Sequence, residues 1–277
     1  GPNFRLRTAG LTIFLDSWLE RPSVLPQYIR LEDITEADYI LISHAHFDHL
    51  PGADKLALQT GATVIASNTA IACLERAGVP AAQLQPVSGG ERIALFSRSV
   101  LEAARAGLPE TFDTGIKYEA SPEQTDWGST VEINRGMEYG LLKIGKHVLP
   151  EHRDEGLQSF VSWLEDEKRH RGCFSSNDGG QLMYNFLLPE PGCTDVGATL
   201  STGLGGLNVL LWNGHLGGYE GIMRSIKPKP DVAILGAAGI GNKDGRPFGG
   251  SAAEFLEEEI KWLDNPERVI WCLHDEL

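Results

Sequence analysis

Residues 38–52, DYILISHAHFDHLPG, constrain this chain more than any other stretch. The apolar run 39–42 reads as a buried strand that stops at Ser43. His44, His46, Asp48 and His49 then follow within six positions. A loop leaving a strand end can aim such side chains at one point, whereas a helix would distribute them around its axis. Imidazole and carboxylate together suit zinc and similar borderline divalent ions. A polar surface loop, or a histidine serving as a cap, is the plainer alternative. This many candidate ligands so close together after a strand favours the metal loop.

Composition narrows the class. The 277 residues suffice for one large domain or two small ones, and 42% hydrophobic against 22% charged residues describes a soluble globular chain with a real core. The 32 glycines point to many turns rather than a helical bundle. A net charge of −14 argues against nucleic acid as a partner, because a phosphate-backbone binder needs clustered Lys and Arg. A small anionic substrate stays possible, since a metal brings its own positive charge. Cys73, Cys173, Cys193 and Cys272 stand far apart without a CxxC pair, which favours reduced thiols and a cytoplasmic setting. No apolar run approaches the ~20 residues of a membrane span. Gly1-Pro2 reads as the remnant of a protease cleavage, with the native start expected upstream. The final HDEL matches a retention signal but, with no signal peptide in view, is read as coincidence.

Residues 4–8 and 11–16 read as a hairpin about Ala9-Gly10, with Asp16 either a turn former or a support for a nearby ligand. A helix is expected over 50–58, closed by Gly61. A strand follows at 63–66, then a helix over 69–77 capped by Asn68 and ended by Gly78. Residues 84–96 read as strand, Gly89-Gly90 turn, strand. Residues 99–106 look helical. The region 97–140, polar and turn-rich from 107 to 138, reads as a surface excursion or lid. Later strands are expected at 141–149, 182–188, 207–212, 232–235 and 269–273, with helices over 156–171, 219–226 and 252–263, the last capped by Ser251. No linker composition intervenes, so residues 1–277 read as a single domain. Early hairpins followed by alternating strands and helices fit stacked sheets with helices outside.

Two further strand ends carry histidine. His215 lies in the glycine-rich WNGHLGG after the apolar run 207–211, and His274 with Asp275 ends the last strand. Beside the first loop, both are candidate ligands rather than turn or surface histidines, and Asp275 is placed to orient a neighbouring imidazole. Residues 241–250, GNKDGRPFGG, form either a pocket-rim loop offering Arg246 to an anion or a solvated loop. Asn177-Asp178-Gly179-Gly180 reads as a plain turn, and His147, His152 and His170 sit in charged, surface-like surroundings.

The H-x-H-x-D-H pattern of His44, His46, Asp48 and His49 after a buried strand resembles the hallmark of the metallo-β-lactamase superfamily. The order of the remaining features is similar to the branch containing ascorbate-6-phosphate lactonases and N-acylphosphatidylethanolamine phospholipases D. That resemblance implies an α/β fold, an αβ/βα sandwich of two mixed sheets with helices outside and metals at one edge. It also implies a first metal held by His44 and His46, and a second by Asp48, His49 and His274. The chain departs from the family twice. Gly214-His215 stands where the family has a Gly-Asp turn whose carboxylate bridges the two ions, and residues 97–110 lack the histidine expected there.

The implied activity is metal-dependent hydrolysis of a small molecule at a lactone, amide or lactam bond by metal-activated hydroxide. Zinc is expected, as one or two ions, with manganese or iron as substitutes. Asp48 and His215 are the candidate catalytic residues. Asp48 would orient the attacking water and take its proton, and His215 would ligate metal or serve the leaving group. A phosphodiesterase of the same fold, a non-catalytic metal-binding member and oxygen chemistry at bound iron are the alternatives. Two divalent ions with Asp48 and a hydroxide sum to roughly +2, against about +1 with a bridging carboxylate, so a second ion is harder to hold. Metal analysis after dialysis is therefore expected to give one full equivalent, the second being absent or partial. Two full equivalents would overturn this reading.

Overall fold

Alternation of side chains along the strands decides the layering. The computed structural model describes residues 3–8, 11–96, 98, 130–138, 156–172, 181–189 and 209–273. The expected turn at 9–10, helix at 99–106, strand at 141–149 and turn at 177–180 lie outside the described residues, as do His147, His152, His274 and Asp275. Among the described residues no helix is long and apolar enough to cross a membrane.

Strands β1 (Phe4–Thr8), β2 (Leu11–Leu15), β3 (Tyr39–Ile42), β4 (Thr63–Ser67) and β5 (Leu84–Val87) form one sheet in that order. β1 is antiparallel to β2, and β2 through β5 run parallel. The second sheet is six-stranded, built from β6 (Arg92–Ala94), β7 (Thr130–Glu138), β8 (Gln181–Pro189), β9 (Val209–Asn213), β11 (Val232–Gly236) and β14 (Arg268–Cys272) in the order β14-β11-β9-β8-β7-β6. Its β9, β11 and β14 are parallel and the remainder antiparallel. The short strands β10 (Gly217–Gly218), β12 (Asn242–Lys243) and β13 (Arg246–Pro247) make a third, small sheet.

In β2, Leu11, Ile13 and Leu15 face the second sheet, while Phe14 faces the other way. Tyr39 and Leu41 of β3 join the inter-sheet cluster, and Ile40 and Ile42 point outward. The same period of two places Leu210, Trp212 and Ile234 between the sheets and Leu211, Ala233 and Leu235 on the outer face of the second sheet. With both faces apolar, each sheet needs cover on both sides. The helices α1 (Ala53–Thr60), α2 (Asn68–Arg76) and α3 (Gly156–His170) lie on the first sheet's side, with Leu56, Ile71, Leu74 and Phe160 in its outer cluster. The helices α4 (Glu220–Ser225) and α5 (Ala252–Trp262) cover the second sheet through Met223, Phe255 and Trp262. The expected sandwich of two mixed sheets with helices outside is therefore the observed arrangement.

Several local expectations are corrected. α1 begins at Ala53 rather than at 50, because Gly52 takes a φ of 100° that a right-handed helix cannot include. The cap of α2 is Ser67, not Asn68, since Ser67 keeps the extended backbone of β4 and its hydroxyl accepts from the Ala70 amide at 3.2 Å. The strands flanking Gly89-Gly90 do not form a hairpin. β5 stays in the first sheet while β6 pairs with β7 in the second, so the two glycines, with φ of 86° and 100°, carry the chain between sheets. The excursion expected across 97–140 ends earlier than read, because residues 130–138 are β7, whose Ile133 is fully buried between the sheets. Its TVEINRGME sequence alternates only weakly, which hid a strand flanked on both sides by partners.

Glu259 on α5 reaches under the end of β9 and is fully buried, accepting from Asn213 Nδ2 at 2.6 Å. Burial pushes its carboxyl up to about 8, against the opposing effect of that hydrogen bond. The folded protein thus keeps a proton that the unfolded chain loses above its ordinary carboxylate range. Stability falls as pH rises from about 4.5 to about 8 and then levels. Glu259→Gln mimics the protonated acid. The variant is expected to exceed the wild type in stability by a few kcal/mol at pH 8.5, with the gap closing toward pH 4.5. Urea unfolding across that range checks this, and a gap independent of pH would contradict it.

Candidate metal centre

The HAHFDH loop leaves β3 at the edge where β2 also ends, and the two chain segments are fastened together. Asp16 follows β2 with a φ of 53°, its amide bonded to the Leu41 carbonyl at 2.8 Å. Ser17 N donates to His49 O at 2.9 Å, and Leu19 N donates to Pro51 O at 3.1 Å. Gly52 is required at this junction, because a Cβ there would lie 2.8 Å from Leu19 Cβ in a backbone conformation already foreign to L side chains.

The Asp16 carboxylate is fully buried beneath the loop. Its Oδ1 accepts from the Ser43 amide at 2.8 Å, and the Ser43 hydroxyl lies 3.0 and 2.9 Å from its two oxygens. Its Oδ2 also meets His49 Nδ1 in a very short contact. A carboxylate can only accept, so Ser43 gives its hydroxyl hydrogen to Asp16 and His49 carries its hydrogen on Nδ1. The Ser43 oxygen then accepts from His44 Nδ1 at 2.8 Å. One carboxylate thereby sets the tautomer of two histidines and leaves Nε2 of each as a lone-pair donor. Of the two roles the sequence offers Asp16, supporting the ligands is the one this geometry fits.

His215 arrives from the second sheet, on the turn after β9. Gly236 at the end of β11 makes room for it, since a Cβ there would stand 2.6 Å from Gly214 O and 2.7 Å from His215 N. Asn213 Nδ2 ties the turn by donating to Gly217 O at 2.9 Å as well as to Glu259. His215 Nε2 comes within 2.7 Å of His49 Nε2, and His44 Nε2 within 3.0 Å of His46 Nδ1. Two ring nitrogens at such separations repel unless a proton or a cation lies between them.

His44, His49 and His215, all buried, place a nitrogen each within 4.8 Å of one another. His46 is 2% exposed and packs edge-on against His44 with ring centroids 4.5 Å apart. Asp48 Oδ2 lies 3.5 Å from His49 Nε2, and its side chain is 14% exposed. Burial works against ionising Asp48, but the charges of His49 and His215 outweigh it and hold the carboxyl well below the usual range. Burial likewise disfavours charge on His49, yet Asp48 and Asp16 overcome it and raise the imidazole to about 10. A buried spot that attracts positive charge this strongly, lined by imidazole nitrogens from which a cation can displace the proton, fits a borderline divalent cation.

The structure thus brings together His44, His46, Asp48, His49 and His215 from two chain segments, while His274 lies outside the described residues. His44 converges with His49 and His215 rather than with His46 alone, so the close trio mixes residues that the family pattern divides between two ions. Ser43, Gly236 and the Asn213–Glu259 pair escape a reading of the sequence. Only the apolar strand ends before them hint at their place.

Residues 10–142 match the family described as the β-lactamase superfamily domain. A metal-dependent hydrolase of the UPF0173 group from Aeropyrum pernix is 31% identical over 121 residues, covering 43% of this chain and 46% of the relative. One from Pyrobaculum arsenaticum is 31% identical over 130 residues, covering 44% and 54%. The chain spans about half the length of these curated relatives. In three dimensions it is similar to the isothiocyanate hydrolase from Delia radicum gut bacteria, with a TM-score of 0.52 and 10% identity over 99% of this chain and 82% of that one.

Asp16→Asn tests the support beneath the loop. Asn tolerates the positive φ but must turn an N–H toward a hydrogen from Ser43 or His49. Zinc affinity is expected to fall ~10–100-fold with the far-ultraviolet dichroism unchanged. An affinity within twofold of wild type would remove Asp16 from this role.

Proposed function

We propose that this chain, which its motif, its family match and its layered fold assign to the metallo-β-lactamase superfamily, is a metal-dependent hydrolase acting on a lactone, amide or lactam bond of a small molecule. The observation that carries the proposal is the meeting of buried His44, His49 and His215 beside the ionised Asp48. His44, His46, Asp48, His49 and His215 are the residues that would hold the ion, with His274 a further candidate. Zinc suits this nitrogen-rich set best, and manganese or iron are substitutes. An ion held there supplies a Lewis acid and a water activated for attack near neutral pH.

The chain's own part follows from its geometry. Asp16 and Ser43 hold His44 and His49 through their Nδ1 atoms, so each presents Nε2 as the atom left for a metal ion. Asp48 stays ionised because of its histidine neighbours and is the group able to orient a water and take its proton. His215 sits across from His49 and is placed either to complete the ligand set or to pass a proton to the leaving group. The second sheet brings His215 to a cluster of histidines nearly closed to bulk water, which strengthens every charge interaction there.

Cys73 and Cys272 are buried free thiols, which supports a reducing, cytoplasmic setting. The −14 charge supports a small molecule rather than nucleic acid as the substrate.

The test is turnover of a panel of esters, lactones and amides, neutral and carboxylate-bearing, by zinc-loaded protein. His46→Ala and Asp48→Ala are each expected to lower kcat/KM by at least ~100-fold, with a cooperative melt retained. Undiminished turnover in both variants, or none of the panel cleaved by the wild type, would defeat the proposal.

A further inference from the structure

The loop that fastens β2 to the metal-binding loop continues past Leu19 into an arginine that the chemistry above does not use. Arg21 is half-buried, and its guanidinium lies over the Trp18 ring, 4.4 Å from the centroid, with the Tyr28 ring 5.5 Å away on another side. Trp18 in turn meets the Phe47 ring edge-on at 6.2 Å, and Phe47 stands between His46 and Asp48 in the chain. Through the Ser17–His49, Leu19–Pro51 and Glu20–Pro51 hydrogen bonds, the segment that carries Arg21 runs beside the metal-binding loop.

Its hydrogen bonds are few. Nε donates to Trp18 O and Nη1 to Pro26 O, both at 3.3 Å, the long end for such bonds. Among the described residues no carboxylate comes within ion-pair distance of it. Burial pulls the guanidinium below its ordinary value, and the Asp48 carboxylate is among the groups that oppose this. Asp48 thus acts on both His49 and Arg21. A cation that is partly desolvated, stacked and only weakly hydrogen-bonded is under-compensated, and a ligand that brings an oxyanion would complete it. Arg246, the arginine that the sequence offers for such a role, is exposed on the β12–β13 hairpin and lacks this setting.

We infer that Arg21 recognises an oxyanion, a carboxylate or a phosphate, on the non-reacting end of the substrate, so that the centre is selective for anionic small molecules. The Trp18 and Tyr28 rings hold the guanidinium plane, leaving its remaining N–H groups for a two-point grip on the ligand. The inference rests on the hydrolase reading for the identity of the substrate, but its test reads binding.

Calorimetry on zinc-loaded protein would compare propionate, which offers one anionic end, with succinate, glutarate, adipate and 3-phosphonopropionate, which offer two. At least one dianion is expected to bind ~10–100-fold more tightly than propionate. Which arm gains tells carboxylate from phosphate. Arg21→Gln is expected to erase the gap and leave zinc content and propionate affinity as they were, and Arg21→Lys to restore part of it. A merely structural arginine would instead weaken all ligands together in the Gln variant, and that result overturns the inference. So does a wild type with no dianion preference, or a preference that survives Arg21→Gln. Failure of the whole panel, neutral and carboxylate-bearing, to turn over with the dianion gap intact would refute the hydrolase reading and leave Arg21 in place.

Discussion

A single buried carboxylate, that of Asp16, lies at the foot of everything the first sheet contributes to the site. It accepts from the Ser43 amide, the Ser43 hydroxyl and His49, and through Ser43 it reaches His44. Burying such a charge is unfavourable unless its hydrogen-bond sites are filled, and here they are filled by the loop that needs orienting. The arrangement therefore couples stability to preorganisation. The backbone turn after β2, the start of the HAHFDH loop and the tautomers of two candidate ligands form one unit, and none can shift without exposing the carboxylate to unsatisfied neighbours.

The second sheet meets this unit through a different device. His215 is set in place by the turn that carries it. Its turn is packed against Gly236, where any side chain would collide with the backbone, and is tied by Asn213 to Gly217 and to the neutral Glu259 on α5. Helix α5 is locked in turn by a full capping box at Ser251 and Glu254 and by Phe255 and Trp262 in the outer cluster. A polar group buried under β9 thus positions a histidine at the other side of the sandwich. The two halves of the cluster are set independently and meet at a His49–His215 separation of 2.7 Å. Arg21 adds a positive charge that interacts with Asp48.

Much of the fold was legible because strands buried on both faces leave strong apolar runs. Residues 39–42, 232–235 and 182–188 each read as strands and are β3, most of β11 and the core of β8. The helix capped by Ser251 was visible from its capping residue and its periodic Phe255, Leu256 and Trp262. Legibility failed where partners, not local pattern, decide the outcome. Gly89-Gly90 looks like a hairpin turn, but nothing in residues 84–96 reveals that their two strands join opposite sheets. β7 was hidden in a polar-looking stretch because its neighbours β6 and β8 supply its pairing and only Ile133 is known to reach the inter-sheet core.

The sequence by itself determined that candidate metal ligands gather in a loop at a strand end, and that His44, His46, Asp48 and His49 belong to it. Strand termination and ligand spacing are local, and the chemistry of imidazole and carboxylate does not depend on context. It also determined the layered α/β class, through the alternation that any two-faced sheet requires. Only the tertiary structure decided which histidines meet. His44 and His49 converge with His215 from 166 positions beyond His49 because Asp16 fixes two tautomers and Gly236 admits the turn. It alone set the segment carrying Arg21 beside the loop that bears His44 to His49. Hydrogen-bond direction, steric room and burial are properties of surroundings assembled from distant segments, and a linear pattern does not encode them residue by residue.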